Sequence, residues 1–408
     1  MKIAYICQTY PPMVNGQSIM LKQLAEGMAN RGHDVLVCCA SNTGQPHTIH
    51  KKPLQISTLR SFPNPLRTGQ RFMIWPEKSL ESNLAAFNPD IIHLHDPLVS
   101  GYIGMRCANS MQIPVVLTLH QLPWYISEHI PFPSIKERVE DLLWDYGKFL
   151  LSKSDALIAP TSLIADIIEE NTGFPVHVIS NGVNLKKFSP IPRKYIPEEL
   201  CEKYGLHPDR PVILHVGQII PEKQVDIVVK ACLSVMDKTN AQLLVAGNGI
   251  SYPAIKNLCQ ESRHAARCHL PGYVDSNGDL AALYQIASVF VMASEIETQG
   301  IVALEAAASG LPIVAVNATC IPDIVRHGRN GFLVPPKNIV SMADAIQKIL
   351  GDQDLAQRMG HQGVLITQTH DLELTLSAHE DIYQQHTLPL EKSIPLREII
   401  SDMELVYK

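Results

Sequence analysis

Two rhythms alternate along the chain. Short, nearly unbroken apolar runs recur at Ile3–Ile6, Val35–Cys38, Ile91–Leu94, Val115–Thr118, Ala156–Ala159 and Val176–Ile179. They recur again at Val212–Val216, Gln242–Ala246, Val289–Met292 and Ile313–Val316. Between them lie stretches with apolar positions every three or four residues, such as Ile19–Asn30, which stops at Arg31-Gly32-His33. Runs that are apolar on both faces of the pleat belong to strands covered on both sides, and their alternation with helices predicts parallel sheets wrapped by helices. Because the rhythm restarts in the second half, two such domains are expected, residues 1–190 and 191–370. The turn pair Asn181-Gly182 and the stretch Ser189-Pro190-Ile191-Pro192 mark the seam, with the linker near 188–208. A polar, helical segment runs from His370 to Thr387-Leu388-Pro389, and a short tail follows.

Length and composition agree. At 408 residues the chain exceeds what one core organises, and 46% apolar against 18% charged residues allows large cores. It contains no run of about 18 apolar residues, so no membrane span is expected. The N-terminus enters a strand at once with no small-residue cleavage signal, which leads to the expectation of a cytoplasmic protein. Nine cysteines without C-x-x-C spacing, two of them the adjacent Cys38 and Cys39, read as reduced apolar thiols and not as zinc ligands or a disulfide framework. A net charge of −6 argues against nucleic acid as a partner, but the charge is uneven. Residues 1–194 carry 18 Lys/Arg against 15 Asp/Glu, and the remainder 16 against 25.

Chemistry concentrates in residues 289–316. A strand, Val289–Met292, leads through Ala293–Gln299 into a helix from about Gly300 to Ser309, closed by Gly310-Leu311-Pro312. Such a strand–loop–helix start directs backbone N–H groups at an anion, and Gly300 lets a phosphate approach closely. Glu297 precedes the first turn, where the helix dipole favours an acid for purely structural reasons. Glu305 is the one charge between Gly300 and Gly310, set among Ile301, Val302, Leu304 and alanines. A buried carboxylate needs hydrogen-bond donors, and the hydroxyls of a ribose supply two. The alternative is an exposed polar face on an otherwise apolar helix.

The stretch "ETQGIVALE", Glu297 to Glu305 with seven residues between the two acids, followed by "ASGLPIVA", resembles the signature of retaining glycosyltransferases of family four, which have the GT-B fold. "SDALIAPTS", "VISNGVNLKKFSP", "ILHVGQIIPEKQVD", "ALYQIASVFVMAS" and "IPDIVRHGRNGFLVPP" resemble that family in the same order. The resemblance implies two facing Rossmann-like domains with a central cleft, the acceptor on the first and the nucleotide-sugar on the second. It also implies that the segment 371–408 recrosses to the first domain.

By the same resemblance Glu305 binds the donor ribose, Glu297 faces the sugar and its phosphate, and backbone from Gln299 through Gly300 and Ile301 to Val302 caps the pyrophosphate. Lys223 in "PEKQVD" matches the family's phosphate-binding lysine, a charge suited to a diphosphate leaving group where no metal site is apparent. Its alternative is an exposed helix lysine. The family has an arginine where this chain has Gln218, which removes one cation from the expected phosphate site. Pro11–Gln17 stands where the family has a glycine-rich loop. Only Gly16 remains there, with Asn15 expected to tolerate unusual φ. His120, after the strand Val115–Leu119, looks like the family's histidine beside the anomeric carbon, and the C-terminal end of a parallel strand is where ligands of open sheets bind. Its alternative is a hydrogen-bonded structural histidine; His93 and His95 receive no role. Gly272, Tyr273 and Val274 occupy the stretch whose backbone meets the nucleobase.

Gln299 stands where the family usually has phenylalanine. "ETQG" together with "VNG" resembles the branch containing diacylglycerol glucosyltransferases, which implies a UDP-hexose donor and a membrane-lipid acceptor. Polysaccharide and small-metabolite acceptors stay open, as do a same-fold nucleotide-sugar epimerase and a catalytically silent nucleotide-sugar-binding protein. Peripheral contact with the inner face of the membrane is expected through the aromatic stretch Leu122–Phe132, which includes Trp124 and Ile130, and through a helix with the stripe Ile135, Val139, Leu142, Tyr146 and Phe149 beside Lys136, Arg138, Lys148 and Lys153. Packing of that helix on its own domain is the alternative.

Overall fold

The computed structural model describes the chain apart from residues 14, 65–69, 75, 98, 121, 128–129, 131, 192–196, 276–277 and 388–408, so the tail and part of the expected linker lie outside the described residues. The first sheet contains β1 (Lys2–Ile6), β2 (Asp34–Ala40), β3 (His47–Lys51), β4 (Leu54–Leu59), β7 (Ile91–Leu94), β8 (Val115–Thr118), β9 (Ala156–Ala159) and β10 (His177–Val178), with β5 (Ser61–Pro63) and β6 (Arg71–Met73) forming a separate hairpin. Its order is β10-β9-β8-β7-β1-β2-β4-β3, parallel except for the β3–β4 pair. The second sheet contains β11 (Val212–Val216), β12 (Gln242–Ala246), β13 (Cys268–Gly272), β14 (Val289–Met292), β15 (Ile313–Val316) and β16 (Gly331–Val334), all parallel, in the order β13-β12-β11-β14-β15-β16. The protein is thus two α/β Rossmann-like domains.

Alternation along each strand divides the apolar residues between two faces. In β1, Ala4 and Ile6 join a cluster with Leu36, Leu94 and Leu117, whereas Ile3 and Tyr5 join Val35, Val37 and Val116 on the other face. The second domain divides likewise, with Leu214 and Leu244 on one face and Ile213 and Leu243 on the other. The final helix among the described residues, Leu372–Thr387, closes the Ile3–Tyr5 face of the first domain with Leu376, Ile382 and Tyr383. Arg31 fixes it from outside, with 2.9 Å ion pairs to Glu373 and Glu380.

Among the described residues the backbone crosses between the domains twice, and the crossings lie side by side. Val183 N–H donates to the His370 carbonyl (2.8 Å), and Leu372 N–H to the Val183 carbonyl (3.0 Å). Val183 and Phe188 are buried in the second domain's core. Gly182 has φ +77°, and Leu372 Cα would lie 3.0 Å from a Cβ there, so the turn requires glycine.

Candidate functional site

The site forms where the C-terminal ends of the parallel strands of both sheets meet. On the first domain, the loop after β1 enters the helix Gly16–Asn30 through an Asn15–Ser18 capping box. Asn15 has φ −155°, which corrects the expectation of unusual φ: it stands there because its side chain accepts from Ser18 N–H. Gln17 donates through Nε2 to the carbonyl of His95 at the end of β7. His95 Nδ1 lies 3.1 Å from Nε2 of His120, just beyond the end of β8, with the rings nearly parallel at 14°. His120 is buried, and desolvation lowers its pKa to about 3, so the imidazole is neutral.

On the second domain, the helix Ile301–Ala308 starts at Gly300, with φ +83° and no side-chain cap. A Cβ at Gly300 would lie 2.9 Å from Ile321 Cδ1. The glycine therefore has a conformational reason beyond ligand approach. Ile301 packs against the first domain's core, and a Cβ on Gly16 would lie 3.9 Å from its Cδ1, so the two helix starts face each other across the cleft.

Lys223 ends a short 3-10 turn, Pro221–Lys223, and its Nζ pairs with Glu297 Oε1 at 2.6 Å, both side chains mostly buried. Glu297 N–H donates to Thr319 Oγ1 (3.3 Å). Glu305 is buried, which excludes an exposed face, and its Oε2 accepts from Tyr284 OH at 2.9 Å. Desolvation raises its pKa to about 7, opposed by the Tyr284 bond and by Lys187. Burial pulls the half-buried Lys187 ammonium down, opposed by the charges of Glu305 and Asp275.

Gln299 is buried, and its side chain is occupied by the crossing. Nε2 donates to Ser180 Oγ (2.7 Å), and Oε1 accepts from Asn181 N–H (2.9 Å). Of the expected group, Gln299 thus has its side chain engaged within the protein. Ser180 Oγ also lies 2.9 Å from His370 Nδ1, and the Ser180 carbonyl accepts from Thr375 Oγ1 (2.9 Å). A further tie joins the domains, Thr161 Oγ1 to the Thr298 carbonyl (3.2 Å). Gln218 follows β11, and Val274 packs half-buried at the edge of the second core. Sequence reading missed Tyr284, Lys187 and the His95–His120 contact. A tyrosine among the apolar positions of "ALYQIAS" was the available signal for the first.

The model of Glycosyltransferase Family 4 matches residues 14–187, and that of Glycosyl transferases group 1 matches residues 198–364. The chain is a GT-B glycosyltransferase. Among known relatives of the glycosyltransferase, an uncharacterized glycosyltransferase of Methanocaldococcus jannaschii is 28% identical over 86% of this chain and 90% of its own. The sulfoquinovosyl transferase of Arabidopsis thaliana is 27% identical over 88% of this chain and 68% of its own. The alpha-monoglucosyldiacylglycerol synthase of Acholeplasma laidlawii is 25% identical over 81% and 84%. Among solved structures, sucrose-phosphate synthase from Thermosynechococcus elongatus aligns with a TM-score of 0.76 at 23% identity, over 94% of this chain and 98% of that one. HepE of Anabaena, solved with UDP, aligns at 0.73 and 19% identity over 94% and 100%. The glycosyltransferase therefore shares the two-domain fold of these enzymes along nearly its full length.

The helix expected at a membrane, Pro133–Leu151, presents both kinds of apolar face. Leu150 and Leu151 are buried, and Trp144 packs on the first core. Phe132, Ile135, Leu142 and Phe149 are 60%, 49%, 67% and 55% exposed. Trp124 packs inward against the core, so the exposed apolar surface belongs to the helix and Phe132 and not to Trp124. No helix among the described residues is long and apolar enough to cross a membrane.

Proposed function

We propose that the enzyme transfers a hexose, with retention at the anomeric carbon, from a nucleotide diphosphate-sugar such as UDP-glucose to a hydroxyl of a membrane lipid such as diacylglycerol. The observation carrying the donor assignment is the buried Glu305, which has a Tyr284 hydroxyl on one oxygen and sits in the second turn of the helix whose uncapped start is Gly300. A carboxylate withdrawn from water needs donors, and the 2′- and 3′-hydroxyls of a ribose fit that need. The pyrophosphate then meets the backbone at Gly300, Ile301 and Val302, where the helix dipole favours negative charge.

Lys223 is the cation for the leaving diphosphate. In the free enzyme it is held by Glu297, and on donor binding it turns to phosphate as charge grows there. Glu297 then faces the sugar and His120 lies beside the anomeric carbon from the first domain. The acceptor hydroxyl attacks from the face the nucleotide leaves. Gln218 supplies a neutral amide where the family has an arginine, so Lys223 and the helix start provide the positive potential. Backbone near Val274 lies at the base, and Gly16 lets the first domain approach the donor closely.

The lipid acceptor rests on the "ETQG" resemblance, on the relative named alpha-monoglucosyldiacylglycerol synthase, and on the exposed stripe Phe132, Ile135, Leu142 and Phe149 with Arg138 and Lys148 beside it. Such a stripe suits peripheral docking on the inner membrane face. The test is incubation with UDP- and GDP-sugars plus lipid extract, with products read by mass spectrometry. A glycolipid product is expected. A glycosylated soluble acceptor would overturn the lipid assignment, sugar turnover with no glycoside would indicate an epimerase, and tight binding without turnover a silent binding protein.

A further inference from the structure

Three histidines line the C-terminal ends of β7 and β8, and their hydrogen bonds determine where the protons reside. His93 has both ring nitrogens partnered, Nδ1 by Tyr383 OH at 2.6 Å and Nε2 by Thr118 Oγ1 at 2.7 Å. The His95 ring lies against it, centroids 4.0 Å apart. His95 Nδ1 meets His120 Nε2 at 3.1 Å, and His95 Nε2 is buried with no partner among the described residues. Burial and the neighbouring imidazoles hold His93 and His95 well below the ordinary histidine range, so all three rings are neutral.

A neutral imidazole has one N–H and one bare nitrogen. A buried N–H with no acceptor is the rarer defect; an unsatisfied acceptor is better tolerated. The unpartnered Nε2 of His95 is therefore the bare nitrogen, and its proton is on Nδ1. That N–H donates to His120 Nε2, which must then be bare, leaving the His120 proton on Nδ1. The 3.1 Å contact holds one proton and not two, and the unpartnered Nε2 of His95 decides which ring carries it.

We infer that His95 is a positioning residue that locks His120 in its Nδ1–H tautomer, so that His120 presents a fixed hydrogen-bond donor, and not a base, to an oxygen of the sugar. The inference rests on His120 lying beside the donor sugar. Gln17, at the entry of the first helix, secures the arrangement from the other side by donating to the His95 carbonyl. Tyr383 brings in the final helix through His93, and its hydroxyl also lies 3.3 Å from that of Tyr5. A donor fixed in this way orients a sugar oxygen without titrating across the working pH range.

The test is direct. Multiple-bond proton–nitrogen spectra of the full chain labelled with 15N-histidine distinguish the tautomers, and His120→Asn assigns the resonances. A protonated Nδ1 and bare Nε2 on His120 are expected, unchanged between pH 6 and 9. His95→Leu should lower kcat about 10- to 100-fold with donor KM less changed, because one positioned donor is lost. His95→Asn, whose amide donates from near the Nδ1 position, should recover most of that rate. An Nε2–H tautomer on His120 in the wild type, or an unaltered kcat in a folded His95→Leu, overturns the inference. If His95→Leu does not fold, the wild-type spectra decide. A fully active His120→Ala would instead remove His120 from the sugar site, a failure of the underlying reading that the spectra distinguish from a wrong tautomer.

Discussion

Glutamine at position 305 keeps the shape of the side chain, removes its charge and still accepts from Tyr284. In the folded protein, burial lifts the carboxyl from 4.5 to about 7, so the native state holds a proton that the unfolded chain releases. The sign follows: Glu305 costs nothing below about pH 4.5, and its cost grows as pH rises to about 7 and then levels off. Spanning that interval corresponds to about 3 kcal/mol. Glu305→Gln should therefore melt close to wild type at pH 5 and about 5–10 °C higher at pH 8, for a domain of this size. Nucleotide binding should move the other way. A charged acceptor is exchanged for a neutral one at the ribose, so UDP should bind about tenfold or more weakly at pH 8. Wild-type affinity should decline as pH falls through 7, beyond any decline shared with the glutamine variant. Calorimetric melts and UDP titrations at the two pH values read both effects. Equal UDP affinity in the two proteins at pH 8, or the same melting difference at both pH values, would refute the reasoning.

Lys223→Ala should lower kcat more than it raises donor KM, because the leaving-group charge it meets develops as the bond breaks. Activity should survive EDTA; strict dependence on added magnesium or manganese in steady-state assays contradicts this. Gly300→Ala places a Cβ at φ +83° and 2.9 Å from Ile321 Cδ1, so it should cost about 1–3 kcal/mol in denaturant unfolding and weaken UDP binding; an unchanged midpoint removes the strain argument. Leu142→Asp with Phe149→Ser should reduce co-sedimentation with anionic vesicles, where each basic residue near the surface adds about 1 kcal/mol. Failure of the wild type to bind vesicles of either charge makes a soluble acceptor the better reading.

The parallel sheets were legible because strands covered on both faces have no polar alternation to confuse them. β7, β8, β9, β11, β12, β14 and β15 fall on the apolar runs to the residue. What escaped were the strands that depart from that pattern. His47–Lys51 lies at the sheet edge with Leu54–Leu59 next to it, and both carry polar residues, Cys268–Gly272 contains a proline, and Gly331–Val334 begins at a glycine. In the site, Glu305 stood out as one charge on an apolar helix. The side-chain role of Gln299 did not, because its partners Ser180 and Asn181 are more than a hundred residues away. His95 was unreadable for a similar reason: only the parallel register of β7 and β8 sets it against His120.

The final helix reverses the order in which the nascent chain can finish its domains. The second domain's two core clusters draw on residues between Val183 and Met359, so they are complete once that segment has left the ribosome. The first domain begins to emerge earlier, yet one face of its sheet awaits Leu376, Ile382 and Tyr383. Until those residues appear, Ile3, Tyr5 and Val37 lack part of their cover, although they were synthesised hundreds of residues before. Emergence of Leu372–Thr387, and not synthesis of the first half, is the event that covers that face of the amino-terminal domain, and a chain of which about the first 360 residues have left the ribosome holds a finished second domain beside an open first one, the kind of species chaperones bind.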